Sequence, residues 1–243
     1  MTLKGKTVLI TGSSSGIGQA IAIECAIKGL KILIHYRKNN KGAEDTLKAV
    51  LKHSSGEIYK ADLTNISEVK TLFNSFKEYP DLLVNNAGES TSGKLEDYEL
   101  WESQWKNIFM SHVYTTNEFL KRESKTVRKI VNISSIYGLF EMGDVDYPQY
   151  SSAKAAMNSL TLILARKLAP SVLVNAVAPG WVWTPPWEGT SEEEKKKLTS
   201  LTKIKRFIKP EEVASIVVPL LKNDALTGEI IRIDGGLHFP QLE

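Results

Sequence analysis

The chain has 243 residues, 42% of them hydrophobic and 24% charged, which excludes a disordered or collagen-like polymer and suits one large α/β domain. Its 31 basic and 28 acidic residues leave a net charge of +3, without the clustered basic stripe that nucleic acid requires. Cys25 is the only cysteine, so no intrachain disulfide or cysteine-rich zinc site can form. No run of about 18 apolar residues would cross a membrane, and Met1–Lys6 lacks the apolar core of a signal peptide. The expectation is a cytoplasmic protein that acts on a small molecule, with neither nucleic acid nor membrane as partner.

Short β-branched runs alternate with helix-period stretches, the pattern of a parallel sheet flanked by helices. In chain order the predicted strands are Thr7–Thr11, Lys31–Tyr36, Glu57–Ala61, Leu82–Asn85, Lys129–Ser134, Leu173–Ala178 and Glu229–Ile233. Helices are predicted over Ile17–Lys28, Lys41–Lys52, Ile66–Phe76, Trp101–Lys121, Tyr150–Lys167 and Pro210–Lys222. No Pro/Gly/Ser-rich linker divides them, so residues 1–243 read as one domain. The stretch 181–209 stands outside the alternation. It carries Trp181, Trp183 and Trp187 and a charged helix-like segment, Ser191–Leu201. A long excursion of this kind in a compact domain is expected to be a lid or binding loop.

The turn after the first strand reads Thr11-Gly12-Ser13-Ser14-Ser15-Gly16-Ile17-Gly18 and opens the first helix. Gly12 permits a tight turn, Gly16 a close approach of backbone to a pyrophosphate, and Gly18 close packing of helix on strand. The helix start, with Ser14, Ser15 and Ile17, supplies free N–H groups to an anion. The turn lacks the Gly-Lys-Ser/Thr of a nucleoside triphosphate loop, so a dinucleotide is the expected ligand. After the second strand come Tyr36, Arg37 and Lys38 with no carboxylate to repel a ribose phosphate. Arg37 offers such a phosphate a planar fork, which favours NADP(H) over NAD(H). The alternative is that Arg37 and Lys38 are exposed loop charges.

Tyr150 and Lys154 stand one helical turn apart and share a face. An ammonium beside a phenol favours the phenolate, which brings tyrosine toward general acid–base work. Ser135 follows the fifth strand, at the sheet edge where α/β ligand crevices open, and can donate to a carbonyl oxygen.

Together these segments resemble the classical short-chain dehydrogenase/reductase family along essentially the whole chain. The resemblance also rests on Asp62-Leu63-Thr64, Asn85-Asn86-Ala87-Gly88, Asn132-Ile133-Ser134-Ser135 and Tyr150-Ser151-Ser152-Ala153-Lys154. It continues in Pro179-Gly180 with Thr184, Pro210-Glu211-Glu212-Val213-Ala214 and Asp234-Gly235-Gly236. It implies a Rossmann-type, doubly wound sheet of seven parallel strands, NAD(P)-dependent hydride transfer on a carbonyl or alcohol, and a homo-oligomer, commonly a tetramer. Carried over by residue, it makes Tyr150 the general acid/base and has Ser135 polarise the substrate carbonyl. Lys154 would bind the nicotinamide ribose, Asp62 and Leu63 the adenine, and Asn86, Ala87 and Gly88 the adenosine ribose side. Pro179, Gly180, Val182 and Thr184 would hold the carboxamide end. Asn86 as a brace between strands, and Asp234-Gly235-Gly236 as a terminal turn, are the competing readings.

Three departures from the family pattern stand out. Counting from Trp105, the position of the family's catalytic asparagine falls on His112, with Asn107 out of register. His112 either keeps the proton relay, alters its pH dependence, or only fills space. The interval from Ser135 to Tyr150 is about two residues longer than usual, so Phe140–Tyr147 is expected to bulge over the pocket. Tyr147 precedes Lys154 by seven, a spacing that resembles divergent enoyl reductases, whereas the Thr11–Gly18 turn favours Tyr150. The expected activity is NADP(H)-preferring reduction of a ketone, 3-oxoacyl or sugar carbonyl, or the reverse oxidation. Trp181, Trp183, Trp187 and Phe140 are candidates to meet the substrate. A nucleotide sensor or interaction protein that keeps the fold is the alternative.

Overall fold

The computed structural model describes residues 1–124 and 126–240. Lys125 and residues 241–243, which the expected domain 1–243 includes, lie outside the described residues. The strands are β1 (Thr7–Ile10), β2 (Lys31–Tyr36), β3 (Gly56–Lys60), β4 (Leu82–Asn85), β5 (Arg128–Ile133), β6 (Val172–Pro179) and β7 (Ile230–Ile233). They form one seven-stranded sheet in the order β3-β2-β1-β4-β5-β6-β7, with every neighbouring pair parallel.

Around the sheet stand α1 (Gly16–Ile27), α2 (Asn40–Val50), α3 (Ile66–Ser75), α4 (Tyr98–Gln104), α5 (Ser111–Leu120), α6 (Pro148–Leu168), α7 (Glu192–Leu201) and α8 (Pro210–Lys222). The two-residue period of the strands divides the core. Val8, Ile10, Leu82 and Val84 pack with Ile21 and Cys25 of α1 and Val213 and Val217 of α8. Leu9 and Leu83 face the other layer, with Phe73 of α3, Phe119 of α5 and Ala165 of α6. Chain order reverses between β1 and β4, so the connections after them diverge and leave a crevice at the carboxyl ends of the strands.

A network of polar side chains crosses that apolar core at β4 and β5. Asn85 and Asn132 are paired positions of β4 and β5. Asn85 Nδ2 donates to Asn132 Oδ1 at 3.0 Å and to Thr116 Oγ1 at 3.0 Å, and Thr115 Oγ1 donates to Asn85 Oδ1 at 2.6 Å. Asn132 Nδ2 donates to Thr161 Oγ1 at 2.9 Å. The network ties α5 and α6 to the central strands just below the crevice.

The expected helix Trp101–Lys121 is corrected to three pieces: α4, a π-helical turn at Trp105–Met110, and α5. The wider turn seats Ile108 against Ala153 and Met157 of α6, a tertiary contact that no proline or glycine in the local sequence announces. Helix α6 starts at Pro148, whose missing N–H costs nothing in a first turn, and leaves Tyr147 outside. In the stretch 181–209, Val182 bridges Ile208, and α7 buries none of its residues.

Candidate active site

The crevice is a cleft of about 840 Å³. Every residue singled out above as catalytic or cofactor-binding lines it, except His112. At one end the glycine turn is shaped as expected. Gly12 has φ +64°, and a Cβ on Gly18 would stand 2.4 Å from Gly12 O, so α1 can rest on the turn only without one. Asn86 braces this turn: its Nδ2 donates to Thr11 O at 2.9 Å and Gly12 O at 3.2 Å. Thr11 Oγ1 accepts from the backbone N–H groups of Asn86 and Ala87 at 2.8 and 2.9 Å.

Sequence reasoning missed His35, which is buried under this turn. Its Nδ1 accepts from Gly12 N at 3.0 Å, so Nε2 carries the proton and donates to Ala61 O at 3.1 Å. One imidazole thus joins the phosphate-side turn to the chain entering Asp62. Burial pushes its pKa down to about 4.

The start of α1 fits an anionic cofactor. No side chain accepts from its first amides and no acidic residue stands in its first turn. Arg37 lines the same end of the cleft, and among the described residues no carboxylate lies within ion-pair distance of it.

At the other end the turn Ile136–Gly138 follows β5 and lies against α6. Gly138 makes this possible, since a Cβ there would meet the Lys154 carbonyl carbon at 2.6 Å. Asn158 Nδ2 donates to Gly138 O at 2.8 Å and Lys154 Nζ to Ile133 O at 2.7 Å. These contacts bring the Ser135 hydroxyl, which accepts from Tyr137 N at 3.2 Å, beside the Tyr150 phenol, and Lys154 Nζ lies 5.6 Å from the Tyr150 ring centre. Burial pushes Tyr150 up to about 12, opposed by the Ser135 hydroxyl, and pushes Lys154 down to about 7.

His112 lies behind the cleft wall. Its Nε2 donates to Ala87 O at 2.7 Å, and its buried Nδ1 has no protein partner. Burial, reinforced by the charge of Lys154, pushes its pKa down to about 3. Asn107 and Ser111, on the π-helical turn and the start of α5, line the cleft instead. Two aromatic candidates are corrected. Phe140 is fully exposed to solvent, and Trp183 packs on Phe207 with ring centres 5.2 Å apart, and neither lines the cleft. Trp181 and Trp187 do line it, as do Tyr137, Asp144 and Tyr147.

The family description of enoyl-(acyl carrier protein) reductases matches residues 12–238. The 3-oxoacyl-[acyl-carrier-protein] reductase FabG of Aquifex aeolicus is 35% identical, over 97% of this chain and 98% of its own. A variant of actinorhodin polyketide ketoreductase, solved with NADPH, superposes with a TM-score of 0.87 at 30% identity, covering 97% of this chain and 98% of that one. The angucycline C-6 ketoreductase LanV, with bound NADP, gives 0.88 at 27% identity, over 97% and 96%. The chain belongs to the short-chain dehydrogenase/reductase family. It is an NAD(P)-dependent oxidoreductase acting on CH–OH and C=O groups. Among the described residues no helix is long and apolar enough to cross a membrane.

Two buried neutral histidines make stability depend on pH. Unfolded, each takes up a proton near 6.5; folded, His35 does so only near 4 and His112 near 3. Below 6.5 the unfolded chain therefore binds more protons, and stability falls by up to about 1.4 kcal/mol per pH unit for each histidine. Urea unfolding at pH 7.5 and 5.0 should show this loss, and the double variant His35→Asn/His112→Asn should show less than half of it. A flat wild-type profile would contradict the assignment.

Proposed function

We propose that the chain is an NADP(H)-preferring reductase of ketone-type carbonyls, running reversibly as a secondary-alcohol dehydrogenase. The observation that carries this reading is that Ser135, Tyr150 and Lys154, with Lys154 Nζ 5.6 Å from the Tyr150 ring centre, line the same cleft as the glycine turn and Arg37. Residues Asp62, Leu63, Asn86, Ala87 and Gly88 would take the adenosine half of the cofactor. Pro179, Gly180, Val182 and Thr184 would take the carboxamide end. Bound there, the nicotinamide supplies or accepts the hydride.

Ser135 donates a hydrogen bond to the carbonyl oxygen and so draws charge toward it. Tyr150, kept protonated by burial, gives its phenolic proton to that oxygen as the carbon is reduced. Lys154 has one N–H engaged with Ile133 O and others left for the nicotinamide ribose hydroxyls; its charge steadies the phenolate that remains. We extend the reading to residues 181–209 as a substrate lid. Trp183 N donates to Ile208 O at 2.8 Å and Ile208 N to Trp181 O at 2.9 Å, so the base of the excursion is pinned while α7 is free of buried anchors.

Tyr147 at seven residues before Lys154, together with the family description, gives the enoyl-reductase pattern a specific footing. Against it, Tyr147 stacks on Tyr137 outside the helix, while Tyr150 has Lys154 Nζ over its ring. Tyr150→Phe should lower kcat on a ketone panel about a hundredfold to ten-thousandfold with NADPH affinity kept, since only a phenol oxygen is lost. Tyr147→Phe should keep most of the rate. The opposite ranking would make Tyr147 the acid. For the cofactor, NADPH should bind about tenfold to a hundredfold tighter than NADH, the worth of one charge-assisted phosphate contact. Arg37→Ala should abolish that preference in fluorescence titrations; a preference that survives would remove Arg37 from the phosphate site.

A further inference from the structure

Tyr137 belongs to no role assigned so far, yet it joins three separate segments at the substrate end of the cleft. Its hydroxyl accepts from Trp181 Nε1 at 2.9 Å, across 44 residues of sequence, and lies near the Asp144 carboxylate. Asp144 is itself fixed: its Oδ1 accepts from Asp146 N at 2.9 Å, and its own N–H donates to Ser151 Oγ of α6 at 3.2 Å. The Tyr137 ring stacks on Tyr147, with centres 6.1 Å apart and planes at 27°, and meets Tyr150 edge-on at 6.4 Å. All of Tyr137, Asp144, Tyr147 and Trp181 line the cleft beside Tyr150.

Part of the hydrogen-bonding capacity of this wall is already spent. An indole has a single donor, and Trp181 has given it to Tyr137. The Tyr137 hydroxyl that accepts it lies near the Asp144 carboxylate, which joins burial in pushing the phenol pKa up. What Tyr137 and Trp181 then offer a substrate is chiefly aromatic surface, held by the bond between them and by the stacking of Tyr137 on Tyr147. A flat ring laid on such a surface buries apolar area without freezing many rotatable bonds, whereas a flexible chain must give up that freedom.

We propose that Tyr137, braced by Trp181 and stacked on Tyr147, is the specificity-determining residue of the substrate end, and that it selects flat, ring-bearing carbonyl compounds over open-chain ones. The inference rests on the carbonyl-reductase reading and narrows its substrate class.

The test is steady-state reduction, at saturating NADPH, of 2-tetralone and of an open-chain 3-oxo ester with the same number of heavy atoms. Wild type should prefer the bicyclic ketone by about tenfold or more in kcat/KM, mainly through KM. Tyr137→Leu should erase that preference. Tyr137→Phe and Trp181→Phe keep the rings and cut the same bond. Each should raise KM for the ketone about threefold to tenfold, and the double variant should be no worse than the worse single one. NADPH affinity, read by fluorescence, should not move. An equal or better open-chain substrate, a preference indifferent to Tyr137→Leu, or additive effects expressed in kcat would each overturn the inference while leaving the carbonyl reading intact. Turnover of neither ketone, nor of any carbonyl in a broad panel, would overturn both.

Discussion

Everything at the reacting end depends on one close approach, that of the turn after β5 to the backbone of α6. Gly138 has no side chain, and the space a Cβ would need is already filled by Lys154 backbone atoms. Because the two backbones touch, Ser135 at the start of the turn faces Tyr150 at the start of the helix. The same contact lets Lys154 reach back to Ile133 O and Asn158 reach forward to Gly138 O. A side chain at Gly138 would have to open this gap, and hydrogen bonds weaken steeply once their geometry is lost.

The cleft's two ends are built by different physics. The cofactor end is backbone: a glycine turn, a helix start without an acidic residue, and a neutral His35 that pins the turn from below. The substrate end is side chain: a phenol, a lysine and an aromatic wall in which Trp181 gives its indole proton to Tyr137. Between them runs the Asn85–Asn132 network, which holds α5 and α6 at fixed distance from β4 and β5. Buried amides of this kind stabilise only when fully paired, and here both carboxamide nitrogens and Asn85 Oδ1 find partners.

Much of the sheet was legible because buried parallel strands read as apolar runs; Leu82-Leu83-Val84 could be little else. The glycine turn and the Tyr150–Lys154 spacing were legible for the same reason: their geometry is local. What escaped the sequence is set by contacts between distant residues. Nothing in Trp105–Met110 marks a π-helical turn, which packing against α6 explains. His35 had a signal, a lone imidazole in the apolar run Lys31–Tyr36, but its partner Gly12 lies 23 residues away. Aromatic residues in the loops could be counted but not aimed, so Phe140 and Trp183 were assigned to a cleft that Tyr137 lines instead.

The most direct measurement is the activity of Gly138→Ala with NADPH and a ketone, set beside its NADPH affinity. If the touching backbones align Ser135 with Tyr150, the added methyl group should lower kcat about a hundredfold, the scale of general acid catalysis, while the cofactor binds as before. A variant that keeps wild-type kcat would show that the reacting groups do not depend on this contact, and would contradict the account.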